Sequence, residues 1–414
     1  MKTIDIIPSK SDAHRALICA ALSEYMSGTL CDLELGTLSE DTEATRKCLV
    51  AMLARGERPE GANLYCGESG STFRFLLPVA GAMGMRCAFH PRGRLAERPM
   101  EPLASELRAK GMTISEEGGV PYTAEGKLRS GDFRLPGNIS SQFVSGLLFA
   151  LPMLEGDSRI LIDGKLESSP YVEMTVRTQR DFGIEEPLIT SSGEGCEIRI
   201  KGGQTYRAPA EYRVEGDWSN AAFWICAGVL GEEAIAINGL DPDSLQGDKA
   251  IADVLIKAGA DIVLPQDDPE GRLIARPSRE RLKAFSCDVS GTPDMVPALA
   301  LIASVSRGKS EISGAARLRI KESDRLRSVS STLSALGAGV EEYSDRLVIK
   351  GRKRLAGGAV GTYGDHRIAM MCAVASLACR KKVSLTGSES VKKSYPAFFE
   401  LFEEAGLSHN LKLI

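Results

Sequence analysis

Hydrophobic and polar positions along this chain produce two kinds of helical run. The first is apolar on every face, as in Ala16-Leu-Ile-Cys-Ala-Ala-Leu22, and predicts a buried helix. The second is striped. Ile251, Val254, Leu255 and Ala258 recur at i, i+3, i+4 and i+7, and Leu326, Val329, Leu333 and Leu336 give another stripe, so each predicts a helix with one face on the core. Glycine closes several of these runs, at Gly111, Gly183, Gly259, Gly337 and Gly406, where a left-handed C-cap is favoured. Between the helices, Glu197-Ile-Arg-Ile-Lys201 and Arg346-Leu-Val-Ile-Lys350 alternate with period two, which predicts strands of mixed sheets with one solvated face.

The pattern repeats. Six places share a strand, a Gly/Ser-rich polar turn and then a small-residue apolar helix: Pro8–Ser11, Gly67–Arg74, Gly137–Gln142, Gly216–Asn220, Gly291–Asp294 and Gly364–Arg367. They lie about 60–80 residues apart, a regular period. Each unit then contributes one buried helix, one surface helix and several strands. A chain of 414 residues suggests two domains, hence three units in each, with a boundary near Glu215-Gly-Asp217.

Composition narrows the function classes. With 43% hydrophobic and 26% charged residues and a formal net charge of −4, the chain reads as a globular protein and not as a nucleic-acid or polyanion binder. The start lacks a charged-then-apolar leader pattern, and apolar runs such as Ala369–Cys379 are too short to span a bilayer, so a cytoplasmic protein without membrane contact is expected. The ten cysteines form no C-x-x-C pair, and Cys19, Cys226 and Cys372 sit in apolar helical runs, as reduced core residues do. Four histidines make a zinc site unexpected, and no metal is predicted.

The charged groups collect at the turns. Lys10, Arg15, Arg74, Arg98, Lys321, Arg325, Arg367 and Lys393 all fall at or beside an element start. A helix N-terminus already favours anions, and arginine grips phosphate and carboxylate bidentately, so the set points to small ligands with several negative charges. Isolated surface ion pairs and ordinary capping would place some of these residues equally well. Glu322, among basic side chains, and Asp294, after Gly-Thr-Pro, are candidate proton carriers, whereas Ser140-Ser-Gln142 and Ser168-Ser-Pro-Tyr171 offer neutral donors for phosphate and hydroxyl oxygens. Lys10 is expected to face solvent. No G-x-x-x-x-G-K-[ST], dinucleotide G-x-G-x-x-G or G-x-S-x-G motif occurs, so neither a nucleotide cofactor nor a serine nucleophile is signalled.

Pro-Ser-Lys-Ser-x-x-x-Arg15, the Gly70 turn ending in Arg74, Glu97-Arg98-Pro99, Ser140-Ser-Gln142, Pro293-Asp294, Lys321-Glu-x-Asp-Arg325, Asp365-His-Arg367 and Lys393-Ser-Tyr-Pro396 together resemble the 5-enolpyruvylshikimate-3-phosphate synthase family, in its order and over essentially the whole chain. The resemblance implies an α/β fold of two similar domains. Each would hold three βαβαββ units, buried helices inside and sheets outside (an inside-out α/β barrel), with the active-site cleft between the domains. Residues 9–215 would form the first domain and residues 1–8 plus 216–414 the second, with hinges near 8–9 and 215–216. It implies transfer of enolpyruvyl from phosphoenolpyruvate to the 5-hydroxyl of shikimate 3-phosphate, by addition and elimination through a tetrahedral ketal, in a cytoplasmic monomer without cofactor.

By that resemblance Lys10, Ser11, Arg15, Ser140, Ser141, Gln142, Ser168, Tyr171, Asp294 and Lys321 hold shikimate 3-phosphate. Lys10, Gly70, Arg98, Gln142, Arg325, Arg367 and Lys393 hold phosphoenolpyruvate. Asp294 would accept the 5-hydroxyl proton, with Glu322 and Lys10 carrying protons at the enol methylene. Two positions depart from the family pattern. Glu68 replaces an asparagine, and an acid there must point away from an anion site; Arg317 stands near where a neutral amide is usual. Alternatives are the sister enzyme acting on UDP-N-acetylglucosamine, disfavoured by Lys10-Ser11 and by the lack of cysteine between His90 and Pro99, and a non-catalytic polyanion-binding repeat protein, disfavoured by the acidic charge and 6% aromatics.

Overall fold

The computed structural model describes residues 1–54, 61–115, 119–138, 140–193 and 195–414. Ile139, within the third polar turn, therefore lies outside the described residues. The chain divides into two compact units: an inner one, Lys10–Val214, and an outer one, Met1–Ser9 with Glu215–Ile414. The division thus falls between Ser9 and Lys10 and between Val214 and Glu215.

The inner unit carries α1 (Lys10–Ser27), α2 (Glu40–Leu53), α3 (Gly70–Ala82), α4 (Leu103–Ala109), α5 (Ser141–Ala150) and α6 (Ser169–Asp181). The outer unit carries α7 (Trp218–Leu230), α8 (Ala250–Lys257), α9 (Val296–Val305), α10 (Arg325–Ala335), α11 (His366–Ala378) and α12 (Phe398–Glu404). Odd and even helices differ as the periodicity predicts. Every residue of α9 and α11 is buried, whereas α8 and α10 bury Ile251, Leu255, Leu326, Val329 and Leu333 and turn polar residues outward. In α3 and α5 all but one position is buried, and those two exceptions, Ser71 and Gln142, sit at the helix starts. Among the described residues no helix is long and apolar enough to cross a membrane.

Four sheets share one topology. In the strands Ala62–Gly67, Cys87–Pro91, Thr113–Ile114 and Tyr122–Glu125, the first two are parallel with a buried helix between them, and the fourth pairs antiparallel with both the second and the third. The same βαβαββ order recurs in the sheets that begin at Asp132–Pro136, Ser286–Asp288 and Lys2–Asp5. Reduced versions join Gly358–Gly361 to Val383–Thr386 and Leu411–Leu413, and Glu211–Arg213 to Asp32–Glu34. The last pairing reveals an exchange. Lys2–Asp5 precedes α1 yet pairs with Ile235–Asn238 of the outer unit, while Glu211–Arg213 precedes α7 yet pairs within the inner unit.

One strand differs from expectation. Ile198 and Ile200 are buried and Arg199 exposed, as alternation predicts, but Leu347, Val348 and Ile349 are all buried. Their strand is central in its sheet, and with polar residues only at its ends it has no hydrophilic face to turn to water.

Helices α3 and α5 approach closely at Gly146, where a Cβ would lie 2.3 Å from the Arg74 carbonyl oxygen. Gly146→Ala is expected to destabilise the protein by about 1–3 kcal/mol through overpacking. A urea midpoint equal to that of the parent chain would show that the two helices can separate at no cost.

Candidate active site

In the inner unit the starts of the helices are tied into a ring. From α1, Arg15 donates through Nε to Thr175 Oγ1 of α6 at 2.8 Å, through Nη2 to the Tyr171 carbonyl at 2.6 Å, and through Nη1 to the Ser11 carbonyl. Thr175 donates to Ser145 of α5 at 2.9 Å. At the start of α5, Gln142 accepts from Arg74 Nη1 at 2.7 Å and donates to Ser71 at 3.0 Å, which fixes it on α3. Thr72 of α3 reaches the Asp41 carbonyl of α2 at 3.4 Å, and Lys10 Nζ returns to Asp41 Oδ2 at 2.9 Å, closing on α1.

Gly70 stands where Arg74 and Arg98 converge. A Cβ there would lie 3.0 Å from Arg74 Nη1 and 3.1 Å from Arg98 Nη1, so the missing side chain leaves room for two guanidiniums. Ser140 caps α5 by accepting from the Gln142 amide at 3.3 Å, and Ser141 is buried. Ser168, at the start of α6, sits in the left-handed region with φ 57°, and its hydroxyl does not cap the helix. For a non-glycine residue that conformation costs about 1–2 kcal/mol. The field of these cations registers on His14, whose imidazole is held well below its ordinary value by burial and then by Lys10 and Arg15. It is neutral at pH 7 and hydrogen-bonds Thr45 at 2.7 Å.

The outer unit builds its cluster around Arg325, the first residue of α10, only 1% exposed. Its guanidinium donates to Asp294 Oδ1 at 2.7 Å, to Asp365 Oδ2 at 2.8 Å and to Glu322 Oε2. Arg367 Nη2 donates to the other oxygen of Asp294 at 2.9 Å, and Lys321 Nζ lies 3.9 Å from Asp294 Oδ1. Burial alone would raise the Asp294 carboxyl, but Arg367, Lys321 and Arg325 outweigh it and hold the group well below the usual carboxylate range. Burial lowers the Lys321 ammonium to about 8, against the opposing pull of Asp294. Neither acid is used as a helix cap. Asp324 caps α10, and Asp294 lies in the turn Pro293–Met295 ahead of α9, so its carboxylate is available to the arginines. Lys393 Nζ donates to the Gly364 carbonyl at 2.9 Å, beside the start of α11.

Each unit thus gathers its own set of the sequence-predicted residues. Lys10, Ser11, Arg15, Gly70, Arg98, Ser140, Ser141, Gln142, Ser168 and Tyr171 belong to the inner unit, and Asp294, Lys321, Glu322, Arg325, Arg367 and Lys393 to the outer one. One expectation fails. Lys10 does not face open solvent: its side chain is 16% exposed and paired with Asp41, an acid brought in by a different helix. Arg15 is also more committed than anticipated, with three of its five N–H donors engaged inside the protein. Glu68 packs against Gly93, whose added Cβ would meet its carboxyl carbon at 2.8 Å, at the entry to the turn that leads to Arg98. Arg317 stands close enough to Lys321 to help lower it.

Sequence reasoning gave no role to Asp41, Thr175 or Asp365, which hold the cations in place. It also missed Asp248, a buried acid pushed up to about 6 by burial and then by the charge of Asp294. Asp365 was visible within its motif; the other three carry no local signal.

An α/β protein of two repeat-built units, each gathering lysine and arginine side chains with hydroxyls and acids at helix starts, has the build of an enzyme for small polar molecules. The family model described as EPSP synthase (3-phosphoshikimate 1-carboxyvinyltransferase) matches residues 1–402. A 3-phosphoshikimate 1-carboxyvinyltransferase of Clostridium kluyveri is 42% identical over 418 residues, covering 97% of this chain and 94% of that protein. That of Clostridioides difficile is 39% identical over 429 residues, with the same two shares of 97% and 94%. Among solved structures, an EPSP synthase from Acinetobacter baumannii aligns with a TM-score of 0.76 at 24% identity, covering 98% of this chain and 95% of that one. The enolpyruvyl transferase NikO from Streptomyces tendae aligns at 0.75 and 17% identity, covering 98% and 95%. The chain belongs to the EPSP synthase family, and it is a transferase of the shikimate pathway.

Removing the guanidinium of Arg325 takes a shared cation from three acids and leaves Asp294 with Arg367 and Lys321. Arg325→Met is expected to lose about 3–5 kcal/mol of stability at pH 7, the cost of breaking a buried pair. Asp294, held low in the native state, contributes stability that is present above its unfolded value and lost as pH falls through its folded one. In the variant it loses one of its three cations, so the deficit relative to the parent should hold from pH 7 to about 4 and narrow as pH falls below about 4. Chemical unfolding at a series of pH values checks this; a deficit independent of pH would mean that packing, not charge, is what Arg325 supplies.

Proposed function

We infer that this enzyme moves the enolpyruvyl group of phosphoenolpyruvate onto the 5-hydroxyl of shikimate 3-phosphate and releases phosphate. The observation that carries the reading is the grip of Arg325 and Arg367 on the two oxygens of Asp294. The carboxylate of phosphoenolpyruvate is an acceptor of the same shape, and two arginines suited to one are suited to the other.

In the resting protein Asp294 is a poor base, because its cations hold the carboxyl low. A phosphoenolpyruvate carboxylate arriving at Arg325 and Arg367 competes with Asp294 for the same donors. Released from them, Asp294 rises in basicity and accepts the proton of the 5-hydroxyl as that oxygen bonds to C2 of phosphoenolpyruvate. The methylene at C3 gains a proton from Glu322 or Lys10, which gives the tetrahedral ketal. Elimination then takes a proton back from the new methyl group, re-forms the double bond and expels phosphate from C2. Both substrates supply their own nucleophile and leaving group, so no cofactor enters the balance. General acid–base transfers of this kind contribute about 10²–10⁴-fold each.

The remaining roles follow the two sets. Lys10, Ser11, Arg15, Ser140, Ser141, Gln142, Ser168, Tyr171 and Lys321 hold shikimate 3-phosphate, and Gly70, Arg98, Gln142 and Lys393 join Lys10, Arg325 and Arg367 on phosphoenolpyruvate. In support, Gln142 and Ser71 are the only incompletely buried residues of α5 and α3, which leaves polar groups at two otherwise apolar helix starts. We read the inner and outer units as the two enolpyruvyl-transferase domains of a cytoplasmic monomer. All ten cysteines are free, and each unit closes its own hydrophobic core.

Phosphate release from phosphoenolpyruvate tests the reading directly. Turnover is expected with shikimate 3-phosphate and not with UDP-N-acetylglucosamine, and Lys10→Met should lower it by at least about 10³-fold, since it removes both a proton carrier and a contact to the two anions. Parental activity in that variant would overturn the assignment. A second outcome concerns pH. Lys321 binds an anion only when protonated, so kcat/KM for shikimate 3-phosphate should fall above about pH 8. Lys321→Met should be less active yet lack that alkaline limb; a limb that persists belongs to another group.

A further inference from the structure

The C-terminal ends of α7, α9 and α11 in the outer unit enclose a cavity of about 310 Å³ that the reaction does not use. That volume lies within the ordinary range of small-molecule sites, about 300–1,000 Å³. Leu230, Val305 and Leu377, from the last turns of the three helices, give it an apolar floor, and Arg279, Arg281, Lys353 and Arg354 line it against a single acid, Glu280. Arg367 sits at the opposite end of α11, whose thirteen residues at about 1.5 Å each separate the two places by about 20 Å.

Helix C-termini carry partial negative charge, so some cations are expected there. That need is already met. Arg281 donates to the Val305 carbonyl at 2.9 Å and to that of Ser306, and Arg354 Nη2 reaches the Cys379 carbonyl at 3.3 Å. Asn410 donates to the carbonyls of Ser376 and Cys379 at 2.9 and 3.1 Å. Arg279 and Lys353 remain exposed, with no ion pair or side-chain hydrogen bond among the described residues. Their chain neighbourhood adds Arg307, Arg352, Arg380, Lys381 and Lys382, likewise exposed and without ion pairs among the described residues, against the exposed acids Glu232 and Glu233 after Leu230, the second of which pairs with the N-terminal amine. Such a concentration of one sign, on a chain whose net charge is −4, repels itself until an anion joins it. Ser278, also in the lining, has a solvent-excluded Oγ with no hydrogen-bond partner among the described residues.

We propose that this cavity binds a small aromatic carboxylate, its ring on the helix ends and its carboxylate between Arg279 and Lys353. A neutral apolar ligand would leave the cations uncompensated, and inorganic phosphate would leave the apolar floor in water. The site is separate from the catalytic residues and does not depend on their assignment.

The test titrates 2-naphthoate and its neutral analogue 2-naphthamide into the full-length enzyme, followed by ligand-observed NMR. The titration is repeated with shikimate 3-phosphate present and with the double variant Arg279→Glu/Lys353→Glu. Naphthoate is expected to bind at least tenfold more tightly than naphthamide, with shikimate 3-phosphate leaving that affinity unchanged. The double variant should lose the tenfold preference while keeping naphthamide binding and turnover. No naphthoate binding to the parent enzyme, equal binding to the variant, or displacement by shikimate 3-phosphate would each overturn the proposal.

Discussion

A charged guanidinium with 1% of its surface in water has to be matched on the spot, and Arg325 is matched by three carboxylates from three chain segments. Moving such an ion out of water costs several kcal/mol unless partners of good geometry are waiting. Much of the outer unit's site follows from that requirement. Asp294 is drawn from the turn ahead of α9, Glu322 from the segment ahead of α10, and Asp365 from the cap of α11. A neutral residue at position 325 would give these acids no reason to gather. The acids and cations are thus gathered with their charges paired to one another, Asp294 on Arg325 and Arg367.

The inner unit uses the same placement with opposite bookkeeping of charge. Arg15 is nearly as buried, at 2%, but its partners are two carbonyls and a hydroxyl. Neutral acceptors satisfy its hydrogen bonds without cancelling its charge, and burial brings it only to about 10, so it stays protonated at pH 7. His14 beside it is held low first by burial and then by the charges of Lys10 and Arg15. An arginine whose direct partners are neutral keeps its charge for a phosphate, although Asp12 lies near Arg15 and Asp41 pairs with Lys10. A site in which each cation is shared with an acid suits proton transfer, since small shifts of partner change basicity by large amounts. The arginines of the two units therefore differ in the acceptors that surround them, carbonyls and a hydroxyl for Arg15 and carboxylates for Arg325.

Much of this could be read from the residues. The contrast between all-apolar and striped helices rests on local periodicity, which a single sequence displays directly and which supports the sixfold repeat, whereas the α/β fold of two similar domains comes from the family resemblance. What escaped was non-local. Lys2–Asp5 and Glu211–Arg213 are both short strands ahead of a buried helix, and nothing in either segment says that each pairs across the chain from the helix it precedes. The burial of Lys10 escaped for the same reason, because its partner Asp41 is placed by the packing of α1 on α2. Asp248 lies in a short turn ahead of α8 with no motif, and only the fold brings it to Asp294. The strand Leu347–Lys350 failed differently: alternation in four residues is too short a record to tell one buried face from two.

The exchange of first strands also constrains where the chain can bend. Ser9 donates to the Glu215 carbonyl at 2.7 Å and Pro8 pairs with Gly216, so both crossings are fastened to the outer unit up to those residues. Gly216 cannot be replaced freely, because a Cβ there would meet the Gly239 carbonyl oxygen at 2.3 Å. On the other side Lys10 is fixed by Asp41 as the first residue of α1, and Val214 packs on Ala13 and Ala16. The division between the units therefore falls at the Ser9–Lys10 and Val214–Glu215 peptide bonds, each flanked by residues held within their own unit. Lys10, the residue proposed to touch both substrates, stands at the first of these two junctions and is held there by Asp41.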